Sequence, residues 1–162
     1  MLDAAYVDFA GGLGIDPDSY AGDWFVQVDQ GTTGVLDAGD TVTWQKDSAE
    51  EVVDLIWGTD AFGAIQSAVN AAAAGDTVNV ADGTYRETVA IEKTLTLRGE
   101  SGTAPVVTDG LGTLISVSGT GVEAVIEKLD LQGGLTGLLV EAADVQVDDV
   151  VIDGAAIFGV QV

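Results

Sequence analysis

The chain has 162 residues, with 27 acidic and five basic side chains, a formal charge of −22, and neither histidine nor cysteine. That balance repels phosphate backbones and anionic membranes and attracts cations or basic partners, and an acidic surface also suits a high-salt habitat. The missing side chains exclude Ser-His-Asp triads, Cys-His dyads, disulfides and imidazole or thiolate metal sites, and 47% apolar residues exclude disorder for the whole chain.

Residues 1–58 are rich in glycine and aspartate and read as a β-rich N-terminal extension, a candidate docking segment. Strands are expected at 4–9, 24–28, 41–44 and 52–57. All three tryptophans, Trp24, Trp44 and Trp57, fall in this part. They either pack the extension against the cap helix and first coils or form a sugar-stacking platform, and their spacing along strand-like segments favours packing. Asp16, Asp18 and Asp23 gather carboxylates in a turn-forming loop and are the candidate calcium ligands, because hard cations take several oxygens. The EF-hand spacing is not met, so a simply solvated acidic turn is the competing reading. Asp37 and Asp40 make a second, smaller cluster.

Residues 59–162 are organised differently. A cap helix is predicted over about 60–74. Thr59 or Asp60 can cap its start, Phe62, Ile65, Val69 and Ala72 recur on one face, and Gly75 stands where a left-handed stop belongs. Then come apolar pairs separated by one residue: Val78 and Val80, Val89 and Ile91, Leu95 and Leu97. This is the period-2 signature of strands with one buried face.

The strands begin to repeat. Residues 91–99 resemble 126–133 with one residue deleted, 129–133 superpose on 150–154 at a shift of 21, and 137–140 recur as 159–162 at a shift of 22. A period of roughly 21 to 24 residues, with short apolar runs ending at Gly, Asp-Gly or Gln-Gly, predicts a β-solenoid. Its interior is expected to hold Val80, Ile91, Leu97, Ile126, Leu131, Val147 and Ile152.

The stretch from Ile65-Gln66-Ser67-Ala68-Val69 through Gly75-Asp76-Thr77-Val78 to Gly83-Thr84-Tyr85-Arg86-Glu87 resembles a known family. It is similar to the N-terminal cap and first coils of right-handed parallel β-helices of the pectin-lyase-like superfamily, common among secreted bacterial proteins. The segment before it resembles the lead-in of large, multi-module bacterial surface proteins of the adhesin type. The resemblance implies an all-β solenoid: a right-handed parallel β-helix with an N-terminal capping α-helix and a β-rich extension. It implies far less about activity, since that superfamily carries lyases, hydrolases, esterases, tailspikes and non-catalytic adhesins on one scaffold.

Gly83-Thr84-Tyr85-Arg86-Glu87 matches the G-x-Y-x-E signature of pectin methylesterases. At Ala156-Ile157-Phe158-Gly159, where a later motif of that family would be sought, an alanine stands in the aspartate position. The structural reading gives the glycine a turn, packs the tyrosine, and pairs Glu87 with Arg86 or a neighbouring coil. Asp130, Asp148, Asp149 and Asp153 are the carboxylates from which acid–base or calcium-assisted chemistry would be built. Past residue 100 the only basic side chain is Lys128, aligned with Asp149 one coil later and expected to form an exposed ion pair with it. Asp109 and Asp153, each before a glycine, read as turn formers. No catalytic or cofactor-binding residue is expected.

Residues 159–162 would open another coil, and the expectation is either a fragment of a longer solenoid or an end that docks onto another copy. Val160, Val162, Tyr6 and Val7 are the candidate head-to-tail contacts. No apolar run approaches membrane-span length and residues 1–6 do not start a signal peptide. The expected setting is extracellular or cell-surface, through another export signal. The function expected is a non-catalytic structural or adhesive module, self-assembling head-to-tail into a fibre. Its partners would be other copies, adjacent modules of a longer chain, or polysaccharide, with no nucleic acid and no membrane insertion. The alternative is the N-terminal part of a carbohydrate-active β-helix enzyme whose active site lies beyond residue 162.

Overall fold

The computed structural model describes residues 23–26, 41–45, 52–81, 83–99 and 104–162. The strand expected at 4–9 and the candidates Tyr6, Val7, Asp16 and Asp18 lie outside them. The first elements are strands Asp23–Val26 (β1), Thr41–Gln45 (β2), Val52–Ile56 (β3) and Ala61–Phe62 (β4), then the helix Ile65–Ala71 (α1).

A parallel solenoid of about four turns follows. Its first turn is Thr77–Val80 (β5), Thr84–Tyr85 (β6) and Val89–Ile91 (β7). The second is Leu95–Gly99 (β8), Val106–Asp109 (β9) and Thr113–Ser118 (β10). Glu123–Glu127 (β11), Asp130–Gly133 (β12) and Thr136–Glu141 (β13) make the third, and Asp144–Asp148 (β14), Val151–Asp153 (β15) and Phe158–Gln161 (β16) the fourth. Each turn gives one strand to each of three sheets, ordered β4-β1-β5-β8-β11-β14, β6-β9-β12-β15 and β7-β10-β13-β16. Strands β2 and β3 pair antiparallel as a separate hairpin.

Because parallel pairing sets each residue above its equivalent, the interior is built from stacked columns. Val78, Leu97, Ile126 and Val147 form one, Tyr85, Val107, Leu131 and Ile152 a second, and Val89, Ile115, Leu138 and Val160 a third. Val80, Ile91, Leu97, Ile126 and Leu131 are buried, as the alternation predicts, and Ile152 is half-buried against them. Val147 differs: it stands in an interior column yet is 46% exposed, because no described strand packs beyond β14.

The sequence shifts of 21 and 22 are those of the real rungs: Leu131 lies beside Ile152 and Leu138 beside Val160. The likeness of 91–99 to 126–133 misleads. It would set β8 on β12, whereas β8 pairs with β11 and β12 with β9 and β15. Both segments run from a strand end through a tight corner into the next strand, so the resemblance encodes a corner without saying which corner. The second turn is also longer than the third, since Leu95 stands opposite Ala124 whereas Ala124 stands opposite Val145.

The helix is shorter than predicted. Asp60 does not cap it; its Oδ2 accepts the Ile56 N–H at 3.1 Å and closes a turn after β3. Ala61 and Phe62 are spent on β4, beside β1. The helix begins at Ile65, with Ala64 offering no side-chain cap, and stops at Ala71. Gly75, at φ +96°, follows that end by several residues and turns the chain toward β5. At seven residues α1 is far below the length that is stable alone, and it is held by burying Ile65, Ala68, Val69 and the adjacent Ala72 in the common core.

One described strand of the segment read as an extension joins the largest sheet. β1 lies between β4 and β5, parallel to both, with Trp24 opposite Val78 and Val26 opposite Val80. Trp24 and Val26 thus hold register positions of the interior columns, whereas Trp44 lies in the β2–β3 hairpin opposite Val53.

Candidate functional site

The Gly83–Glu87 signature sits where the first turn meets the cap helix. Tyr85 is 2% exposed, and its hydroxyl donates to the Ala81 carbonyl at 2.9 Å. Glu87 uses both carboxylate oxygens: Oε1 accepts the Ile65 N–H at 2.8 Å and Oε2 the Gln66 N–H at 2.9 Å. An anion at the free N–H groups of a helix start does the work of the absent N-cap side chain. The structural reading of the motif is right in kind, but Glu87 is bonded to the helix backbone and not to Arg86.

The other end of α1 is held in a complementary way. The Lys93 ammonium donates to the carbonyls of Ala72 at 2.6 Å and Asn70 at 3.2 Å, a cation where carbonyls are left over. Between these clamps the Gln66 carboxamide reaches β7. Its Oε1 accepts the Ala90 N–H at 2.6 Å, and its Nε2 donates to the Ala90 carbonyl at 3.2 Å and to Asn70 Oδ1 at 2.9 Å. Sequence reasoning misses Gln66 and Lys93. Apart from Asn70 Oδ1, which Gln66 meets within the helix, their partners are backbone atoms far away along the chain, which leave no side-chain signature.

On the outer face of the largest sheet, Asn79, Arg98, Glu127 and Asp148 stack coil upon coil. Arg98 Nε donates to Glu127 Oε1, an ion pair with side chains 35% and 19% exposed. Asn79 is buried, and its Nδ2 has no hydrogen-bond partner among the described residues. The expected Lys128–Asp149 ion pair is not formed. These residues occupy equivalent left-handed corners, at φ +56° and +52°, and the link there is the Lys128 N–H donating to the Asp148 carbonyl at 3.1 Å.

The remaining carboxylates are distributed rather than opposed. Asp148 ends β14, whereas Asp130 and Asp153 lie on the neighbouring sheet, in β12 and β15, with Asp149 at the corner between. Asp130 accepts from Gln132 Nε2 at 2.7 Å through one oxygen, and its other oxygen is buried without a partner among the described residues. Asp153 precedes Gly154, at φ +69°, in keeping with a turn role. Of the candidate calcium ligands, Asp23 opens β1 opposite Thr77. Among the described residues no group of three acidic side chains is placed to hold a metal ion.

Among the described residues two apolar surfaces are open. The fourth turn leaves Phe158 and Val160 about half exposed, and Val162 is 97% exposed. Along the corner leading into β10, β13 and β16, Leu111, Leu135 and Ile157 are all exposed. No protein-family model, curated protein or solved structure matches the chain, and the fold assignment rests on the strand pairing itself.

Proposed function

We propose that the chain is a non-catalytic structural or adhesive module of a secreted or cell-surface protein, built on a β-helix of the pectin-lyase-like kind. The observation that carries this reading is how Gly83–Glu87 is used. The side chains that match an esterase signature are committed to construction, Tyr85 to the Ala81 carbonyl and Glu87 to the first N–H groups of α1. The distribution of Asp130, Asp148 and Asp153 over two sheets supports it further, since sugar chemistry needs two acids facing each other across the substrate. The acidic charge suits an extracellular surface that turns away nucleic acid and takes cations.

Within this reading, Val160 and Val162 offer apolar area to a following module or another copy, and Asp16, Asp18 and Asp23 remain the calcium candidates. The test is electron microscopy and light scattering of the purified chain, with and without calcium, beside a turnover assay on neutral and acidic polysaccharides. Discrete rods or fibres without turnover are expected. Cleavage or de-esterification of any polysaccharide, lost in Glu87→Gln or Asp130→Asn, would overturn the reading in favour of a carbohydrate-active enzyme.

A further inference from the structure

Among the described strands β7 is the outer edge of its sheet, with β10 on its other side. In a strand, the N–H and C=O of one residue point to the same side, and the side alternates along the chain. Ile115, Ser116 and Val117 of β10 lie opposite Val89, Ala90 and Ile91, and both backbone groups of Ala90 are engaged by Gln66, on the side away from β10. Within so short a strand, Ala90 is therefore the residue that presents a donor and an acceptor at the open edge. Exposed pairs of this kind are what another strand adds to.

We infer that Gln66 is an edge guard: its carboxamide stands in for a strand residue and closes β7 to strand addition by a second copy of this chain. The geometry is reciprocal, acceptor to N–H at 2.6 Å and donor to C=O at 3.2 Å, which is the pairing a neighbouring strand would supply. The guard is fixed in place from three directions. Asn70 Oδ1 accepts from the same Nε2, Glu87 holds the backbone N–H of Gln66 itself, and Lys93 holds the far end of the helix. The outward residues of α1, Ser67, Asn70 and Ala71, are polar or small, so the helix adds no large apolar side chain to the end it covers. The cap thus closes the β7 edge, and strand addition at that edge is suppressed. This inference stands on the first turn alone and does not depend on what the outer faces bind.

The test compares the full chain with Gln66→Ala and Gln66→Glu, by native-state amide hydrogen exchange and by sedimentation velocity over rising concentration. In Gln66→Ala the Ala90 amide should exchange at least tenfold faster while the Leu97 amide is unchanged, and an additional concentration-dependent species should appear. Gln66→Glu keeps an acceptor for the Ala90 N–H but donates nothing to the Ala90 carbonyl or Asn70 Oδ1, and it adds a charge at the edge that a second strand must bury; no new species should form. An unchanged Ala90 amide in Gln66→Ala, or faster exchange with no new species, overturns the inference, as does a new concentration-dependent species in Gln66→Glu that the wild-type chain lacks. Should Gln66→Ala fail to fold, the wild-type chain decides. An Ala90 amide protected to within tenfold of the Val117 amide supports the guard, and a freely exchanging one refutes it.

Discussion

Replacing Glu87 with alanine separates construction from chemistry at the one motif that resembles an active site. Two backbone N–H groups, those of Ile65 and Gln66, lose a carboxylate at 2.8 and 2.9 Å. A hydrogen bond to a charged group contributes about 1.5–3 kcal/mol net, and an N-cap replaced by alanine costs about 0.5–2 kcal/mol. The contact is only part-buried, so water recovers some of the loss and the expected cost is about 2 kcal/mol. A helix of seven residues does not survive without its anchors, and the loss should fall first on α1. With a urea m-value of about 1–3 kcal/mol/M, the midpoint should drop by roughly 1 M. Hydrogen exchange should show the Ala68 and Val69 amides exposed before those of Leu97 or Ile126. Glu87→Gln should fall between alanine and wild type. An unchanged or raised midpoint in Glu87→Ala would refute the capping argument, and a raised one is the mark of a strained catalytic acid relieved of its charge.

Leu131→Ala, in the middle of a fully buried column, should cost about 2–5 kcal/mol, whereas Val147→Ala, in an interior column but 46% exposed, should cost about 1 kcal/mol or less; equal losses in urea titrations would show the columns wrongly assigned. Gly99→Ala should prevent accumulation of folded, soluble chain, since its Cβ would stand 1.9 Å from the Lys128 carbonyl oxygen, with far-UV circular dichroism as the measure. Arg98→Ala should change stability by about 0–1 kcal/mol, an effect shrinking further in high salt, because the Arg98–Glu127 pair is partly exposed. If Asp16, Asp18 and Asp23 bind calcium, a hundredfold excess over the dissociation constant should stabilise the chain by about 2.7 kcal/mol. That gain should vanish on chelation and in Asp16→Asn/Asp18→Asn, and a melting curve indifferent to calcium would remove the site.

The interior is legible where local pattern and global register agree. Val80, Ile91, Leu97, Ile126 and Leu131 announce themselves by alternation. The third and fourth turns do so by the repeat itself, whose matches reappear in the pairing of Leu131 with Ile152 and Leu138 with Val160. The second turn hides its register, because its longer corners carry Ala124 out of step with Leu95 and leave the look-alike corners at 91–99 and 126–133 as the more visible match. Helix ends mislead for a related reason. Asp60 and Gly75 are good local signals, but Asp60 serves the turn after β3 and Ala61–Phe62 are drawn into a strand by β1. The clamps on α1 are not legible at all. Glu87, Lys93 and Gln66 bond to main-chain atoms, and any residue at those positions would offer the same partner.

The place of β1 bears on how the chain is assembled in time. Asp23 pairs with Thr77 and Phe25 with Ala61, so the strand emerges from a ribosome well before either neighbour exists. Closing so wide a loop is slower than closing the shorter spans that join Leu131 to Ile152 or Leu138 to Val160. The expected order is therefore vectorial for the coils and retrograde for the first rung: turns two to four zip onto one another, and β1 threads between β4 and β5 afterwards. Until it does, the Thr77–Val80 edge is unsatisfied, and the nascent chain passes through a stage in which an incoming strand from elsewhere competes with its own.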